Sequence, residues 1–124
     1  MESIKVVLAD DLSFMRDVIR NMIKDTNIRI IGEAENGAEA VKLYKNLNPD
    51  IVLMDITMPV MDGLESLSLI KEYDPGARVI MCSALGQQKY IIKAIQFGAR
   101  DFILKPFIPE RIISAITKAA GINV

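Results

Sequence analysis

Ile51-Val52-Leu53-Met54-Asp55 is a short apolar run that ends abruptly in a carboxylate. A continuous apolar run of this length is typical of a parallel strand whose two faces are both covered. The start of the chain repeats the pattern, because the β-branched run Ile4–Ala9 leads directly into Asp10-Asp11. We therefore predict buried strands over Ile4–Ala9 and Ile51–Met54, each followed by acidic residues.

Outward from these two runs, apolar strands alternate with segments of helical periodicity. The five predicted strands are Ile4–Ala9, Ile28–Ile31, Ile51–Met54, Val79–Cys82 and Phe102–Leu104. The first predicted helix has Ser13 as its expected N-cap, and its apolar face consists of Phe14, Met15, Val18, Ile19, Met22 and Ile23. Asn36-Gly37 is compatible with a hairpin, but the apolar residues that follow favour a second helix, which Pro49 ends: Ala38, Val41, Leu43 and Tyr44.

Three further helices are predicted in the second half of the chain. The third spans Gly63–Glu72 and closes at the turn Asp74-Pro75-Gly76. The fourth has Gly98 as its C′ glycine and carries the apolar residues Tyr90, Ile91, Ala94 and Ile95. The fifth begins at Pro109, and its apolar stripe consists of Ile112, Ile113, Ile116, Ala119 and Ala120.

This strict alternation within 124 residues predicts one α/β domain that spans residues 1–124. The expected fold class is a doubly wound, five-stranded parallel sheet with helices on both faces. Sites on such sheets lie outside the carboxyl ends of the strands, at the point where the winding direction reverses.

Composition excludes several classes of function. The chain has no histidine, which excludes a Ser-His-Asp triad, a histidine-ligated zinc ion and a phosphohistidine. Its net charge of −1 argues against electrostatic binding of nucleic acid. Cys82 is the only cysteine and is expected to be a small buried residue. No signal peptide and no apolar run of about 20 residues is present, so we expect a cytoplasmic protein without a membrane span.

Polar residues follow four of the five predicted strands: Asp10-Asp11, Asp55, Ser83 and Lys105. Each could instead cap a helix or lie on the surface, but all four positions fall at one edge of the sheet. Two carboxylates about 5 Å apart repel each other by roughly 3 kcal/mol at an effective dielectric near 20. A hard cation such as Mg²⁺ would relieve that repulsion, and an adjacent carboxylate could then accept a phosphoryl group.

Four segments together resemble the receiver domain of two-component response regulators: Asp10-Asp11, Asp55-Ile56-Thr57-Met58-Pro59-Val60-Met61-Asp62-Gly63, Ser83-Ala84 and Lys105-Pro106. The resemblance covers the whole chain and implies the flavodoxin-like strand order 2-1-3-4-5. Two further segments, Leu12–Arg16 and Ser83–Gln88, are similar to those of the stand-alone chemotaxis response regulators.

By position, the resemblance implies that Asp55 is the phosphoacceptor and that Mg²⁺ is bound by Asp11, Asp55 and the backbone carbonyl of Thr57. Asp10 would contribute from behind these ligands or through water. Ser83 and Lys105 would hold the phosphoryl group, and the Lys105–Pro106 peptide bond would be cis.

Ser83 and Phe102 are the switch residues that the resemblance implies. Phe102 stands where many members have tyrosine, so its ring can turn inward but has no hydroxyl group. Activation would alter the surface of helix four, strand five and helix five.

The implied protein is a signalling phosphoacceptor rather than an enzyme, because it catalyses only its own phosphorylation and dephosphorylation. The implied partners are a chemotaxis-type sensor histidine kinase, the flagellar motor switch protein and a phosphatase, with no nucleic acid or membrane, and the protein would act as a monomer.

The alternatives are a receiver module of a phosphorelay or of a larger DNA-binding regulator, a flavin carrier on the same fold, and an aspartate-based phosphatase. Asp10-Asp11 disfavours the flavin carrier because it would repel a phosphate, and the Asp-x-Asp motif of the phosphatases is absent.

Overall fold

In the computed structural model, which describes residues 3–84 and 86–121, five strands alternate with five helices. The strands are β1 (Ile4–Ala9), β2 (Ile28–Ala34), β3 (Ile51–Asp55), β4 (Val79–Ser83) and β5 (Asp101–Leu104). The helices are α1 (Ser13–Met22), α2 (Gly37–Leu47), α3 (Gly63–Tyr73), α4 (Lys89–Gln96) and α5 (Pro109–Ala119). Leu85, which belongs to the segment Ser83–Gln88, lies outside the described residues.

All strand pairs are parallel, and the sheet order is β2-β1-β3-β4-β5. The predicted fold class and strand order are therefore confirmed. Because the order reverses beside β1, the carboxyl ends of β1 and β3 lie next to each other. The site predicted from the sequence falls at this edge.

Two apolar layers cover the sheet, because alternate residues of each strand point to opposite faces. In β1, for example, Val7 packs with residues of α2 and α3, whereas Val6 and Leu8 pack with residues of α1 and α5. Cys82 belongs to the second layer and is buried, as expected. Both faces of the central strands are thus buried, which accounts for their continuous apolar runs.

β2 extends to Ala34, beyond its predicted end at Ile31, and its ladder with β1 contains an irregularity. Val6 pairs with Ile30, but Val7 pairs with Gly32, so Ile31 is an additional residue on the β2 side. Such a bulge reverses the faces of the residues that follow it. The apolar pattern therefore ends at Ile31, although the strand continues to Ala34.

Two predictions for α1 are wrong. Leu12, not Ser13, occupies the N-cap position, and its side chain makes no capping hydrogen bond. Ser13 is already helical because the carboxylate of Asp10 accepts the Leu12 N–H and fixes the turn before it. Phe14 is 71% exposed rather than part of the apolar face, since the face toward the sheet centres on Ile19.

The other helix signals agree with the structure. Asn36 is the N-cap of α2, and its side chain accepts the Glu39 N–H, so the segment is a helix and not a hairpin. Gly98 follows the C-cap of α4 with φ of 96°, and Pro109 lies in the first turn of α5. No described helix has both the length and the apolar character that a membrane crossing requires.

Candidate functional site

The turn after β1 brings two carboxylates to the edge of the sheet. Asp10 is only 2% exposed, and its Oδ1 accepts the Leu12 N–H at 2.9 Å, so this carboxylate also orders the turn into α1. The backbone N–H of Asp10 donates to the Ala34 carbonyl at 3.0 Å, as a last bond to β2. Asp11 is exposed. The Asp10 carboxylate is thus buried, whereas Asp11 is exposed to solvent.

Asp55 ends β3, and the loop that follows folds back onto it. The Gly63 N–H donates to the Ile56 carbonyl at 2.7 Å, and a Cβ on Gly63 would overlap the carbonyl oxygen of Asp55. Only glycine allows this close approach. Asp62 then starts α3 by accepting the Glu65 N–H at 2.9 Å. The loop therefore fixes the strand end that carries Asp55.

Backbone strain in this loop is confined to its tip. Val60 has φ of 69°, and the Met61 N–H donates to the Pro59 carbonyl at 2.7 Å across it. This is the rare γ-turn with a left-handed central residue, which is unfavourable for a β-branched side chain. Val60 is 85% exposed, so the tip presents an apolar side chain to solvent beside the acidic edge.

The three carboxylates converge as predicted. Asp10, Asp11 and Asp55 each place one oxygen within 4.8 Å of the others. Lys105 Nζ lies 3.2 Å from Asp55 Oδ2 and 3.7 Å from Asp10 Oδ2. One ammonium group cannot balance three carboxylates, so the cluster carries excess negative charge. Its donors are hard oxygen atoms, which fit Mg²⁺ or Ca²⁺ better than a soft metal ion.

Burial shapes the ionisation of the cluster. Removal from water raises the pKa of Asp55 to about 6; the Lys105 ammonium opposes this rise, and the charge of Asp10 adds to it. Burial also acts to lower the pKa of Lys105, but the charges of Asp55 and Asp10 outweigh it and raise that pKa. Lys105 therefore stays charged beside a carboxylate that is costly to ionise.

Ser83 ends β4 with a hydroxyl group that is not satisfied. The residue is 0% exposed, and its Oγ has no hydrogen-bond partner among the described residues. It does not cap α4, which begins at Lys89 with Gln88 in the N-cap position. The Ser83 carbonyl accepts the Lys105 N–H at 2.9 Å, which holds the ends of β4 and β5 together. A buried hydroxyl without a partner among the described residues is costly, and this one lies on the last residue of β4, the strand that pairs with β3.

The remaining predicted residues lie around this cluster. Thr57 is exposed in the loop after β3, two positions beyond Asp55. The Lys105–Pro106 peptide bond is cis, as the resemblance implies. Phe102 is half-buried and packs against the apolar layer of α2, α3 and α4.

Two residues at the site were not predicted from the sequence. Arg16 of α1 donates from Nη1 to the Asp10 carbonyl at 2.5 Å. Gln87 accepts the Ala84 N–H at 2.8 Å through Oε1 and donates from Nε2 to the Thr57 hydroxyl, so it connects the loops that follow β3 and β4. Neither residue stands at a strand end, where the sequence would have pointed to it.

Comparisons with known proteins find relatives in sequence and in fold. The family described as the response regulator receiver domain matches residues 6–117. The chain is 54% identical to the chemotaxis protein CheY of Listeria monocytogenes over 117 residues, which cover 94% of this chain and 98% of the relative. Among solved structures, the response regulator domain of Thermotoga maritima CheB has a TM-score of 0.90 at 34% identity, covering 99% of this chain and 100% of that one.

A second solved structure is the CheX–CheY–BeF₃–Mg²⁺ complex from Borrelia burgdorferi. Its match to this chain has a TM-score of 0.88 at 39% identity, and it covers 94% of this chain and 89% of that one.

Proposed function

The chain belongs to the response regulator receiver domain family, a family of phosphoacceptor signalling proteins, and on this basis we propose that it is a Mg²⁺-dependent regulator that accepts a phosphoryl group on Asp55. The proposal is carried by one observation: the buried Asp55 carboxylate meets two other carboxylates and the Lys105 ammonium at the end of β3. The whole segment 1–124 would act as one receiver domain and as a monomer.

The transfer itself requires a nucleophilic oxygen in line with the donor. A carboxylate oxygen of Asp55 attacks phosphorus while the P–N bond of a kinase phosphohistidine breaks, and the electron pair of that bond returns to the imidazole nitrogen. The raised pKa of Asp55 still leaves the carboxylate ionised at neutral pH. Burial makes that charge costly, which favours its conversion into an acyl phosphate whose oxygens have bonding partners.

The acidic edge would hold the cation. We assign Asp11, Asp55 and the Thr57 backbone carbonyl as ligands of Mg²⁺, with Asp10 contributing through water or from behind them. When bound, Mg²⁺ offsets the repulsion between the carboxylates and the phosphoryl oxygens. Hard oxygen donors and the excess negative charge of the cluster support this assignment.

Ser83 and Lys105 would hold the phosphoryl oxygens. The Ser83 hydroxyl has no partner among the described residues and would gain one from an incoming phosphoryl oxygen. The Lys105 ammonium already lies beside the acceptor carboxylate and would pair with the new charge. Both residues thus act on charge that develops during the transfer.

We expect one phosphoryl group to be gained when the protein is incubated with acetyl phosphate and Mg²⁺. Here the P–O bond of the donor breaks and acetate leaves, so no kinase is required. Intact mass spectrometry measures the product, and an EDTA-treated sample is the control. A protein that gains no phosphoryl group, or gains it equally in EDTA, is not a Mg²⁺-dependent acceptor.

The proposed partners follow from the chemotaxis relatives. We propose a chemotaxis-type sensor histidine kinase as the phosphoryl donor and the flagellar motor switch as the target. The Borrelia structure holds CheY with CheX, and a protein of that kind is our candidate for a phosphatase of this chain. The acidic edge and the chain's net charge of −1 do not favour nucleic acid as a partner.

The proposed output surface consists of α4, β5 and α5. Among the residues that the structure describes, it exposes five large apolar side chains on or between these elements: Ile92, Ile95, Phe97, Leu104 and Ile108. Ser83 and Phe102 are the proposed switch residues. Ser83 lies in β4 and Phe102 lies in β5, and these two paired strands connect this surface to the site. Phosphorylation would shift the population between two packings of this surface.

Addition of beryllofluoride, a phosphoryl mimic, with Mg²⁺ should therefore change amide exchange in residues 86–96 and 101–107. Exchange in α2, which lies at the other edge of the sheet, is the internal control and should change little. Exchange that changes only in α1 and α2 would place the output surface elsewhere.

A further inference from the structure

Of the three carboxylates, that of Asp11 is held in place by the fewest contacts of its own. Its side chain is exposed and makes no hydrogen bond or ion pair with any residue in the described part of the chain. Asp55, in contrast, pairs with Lys105, and Asp10 bonds to Leu12. The position of the Asp11 carboxylate is therefore determined by the backbone of the turn that carries it.

Arg16 holds that turn from the side of α1. Its Nη1 donates to the Asp10 carbonyl at 2.5 Å, that is, to the peptide group that joins Asp10 to Asp11. The ladder with β2 ends at the bond from the Asp10 N–H to Ala34. Arg16 thus binds the first carbonyl beyond the last ladder bond, and it fixes the direction in which the Asp10–Asp11 peptide points.

Arg16 is itself held rigidly. Its Nε donates to Glu33 Oε1 on β2 at 2.8 Å, its Nη2 lies 3.9 Å from Glu35 Oε1, and its side chain is only 11% exposed. A planar guanidinium that is bonded on two edges has little freedom to rotate. Arg16 therefore connects α1, the end of β1 and β2 through one side chain.

We propose that Arg16 is a positioning residue for the metal site: it orients the Asp10–Asp11 peptide so that the otherwise unsupported Asp11 carboxylate faces Asp10 and Asp55. This inference rests on the proposed function, because it concerns the affinity of the same acidic edge for Mg²⁺. Residues behind a metal ligand typically change metal affinity by 10- to 100-fold when they are replaced.

Arg16→Gln tests the proposal because two explanations predict opposite changes in the Mg²⁺ dissociation constant. If Arg16 acts only through its charge, its removal leaves the edge more negative and Mg²⁺ binds more tightly. If Arg16 positions Asp11, the Mg²⁺ dissociation constant rises about tenfold. Calorimetric titration with MgCl₂ measures this constant. In EDTA, exchange of the Leu12 amide, which reports on the same turn, should become faster than in the parent protein.

Arg20→Gln is the matched control. Arg20 also binds Glu33, and it pairs with Asp17 at 2.7 Å, but it forms no hydrogen bond or ion pair with Asp10 or Asp11, both of which the structure describes. Its replacement also removes one positive charge from the ion pairs around Glu33, and it should leave the Mg²⁺ dissociation constant within about twofold of the parent value. An equal loss of affinity in both variants would show a general effect of the network and overturn the proposal.

Arg16→Lys separates charge from geometry and remains informative if Arg16→Gln does not fold. Lysine keeps the charge but cannot bond to Asp10 and Glu33 with a rigid fork, so we expect weaker Mg²⁺ binding here also. Unchanged or tighter binding in both Arg16 variants overturns the positioning role. A parent protein that binds no Mg²⁺ would instead overturn the proposed function.

Discussion

Asp55→Asn should gain no phosphoryl group from acetyl phosphate and Mg²⁺, whereas the parent protein should gain one. The amide has nearly the shape of the carboxylate and can occupy the same place at the end of β3. Its oxygen is a poor nucleophile, however, and would yield no stable acyl phosphate. We therefore expect complete loss of labelling with a retained fold, measured by intact mass and by thermal unfolding of the same sample.

Asp62→Asn provides the matched control for this variant. Asp62 lies in the same loop, but it is exposed and caps α3 by accepting the Glu65 N–H. Asparagine caps a helix about as well as aspartate, so this variant should be labelled like the parent protein. Undiminished labelling of Asp55→Asn would show that another carboxylate, such as Asp10 or Asp11, is the acceptor.

The sequence predicted the location of this site because parallel strands impose a simple geometry. Asp55 is the last residue of a strand that is buried on both faces, so the apolar run ends where the carboxylate begins. Ser83 likewise ends β4, and Asp10-Asp11 and Lys105 directly follow β1 and β5. Since all these strands are parallel, their polar ends meet at one edge, and the convergence followed from the alternation of strands and helices alone.

Contacts to the loops that follow the strands could not be predicted in this way. Arg16 reaches back to the turn before its own helix, and Gln87 spans the loops after β3 and β4. Neither contact follows a periodic pattern, because each bond depends on how the loop that it reaches lies in space. The end of β2 was missed for a related reason, since the extra residue Ile31 interrupts the alternation of faces.

The raised pKa of Asp55 gives a further prediction, for the metal-free protein. We expect the contribution of Asp55 to the free energy of unfolding to decrease as the pH rises from about 4 to about 7. Between its ordinary value of 3.8 and its folded value of about 6, Asp55 binds a proton more tightly in the folded state than in the unfolded state. Ionisation therefore destabilises the fold, by at most about 3 kcal/mol once the pH exceeds the folded pKa.

Other groups titrate in the same range, so the measurement is the difference between two proteins. Urea unfolding of the parent protein and of Asp55→Asn in EDTA, at several pH values from 4 to 7.5, isolates the contribution of this carboxylate. The variant should gain stability relative to the parent as the pH rises, because asparagine has no charge to bury. Saturating Mg²⁺ should reduce that difference by stabilising the ionised parent. If the difference between the parent and Asp55→Asn is the same at every pH, the burial of Asp55 imposes no cost on its ionisation, and the charge of the acidic edge is already balanced without a cation.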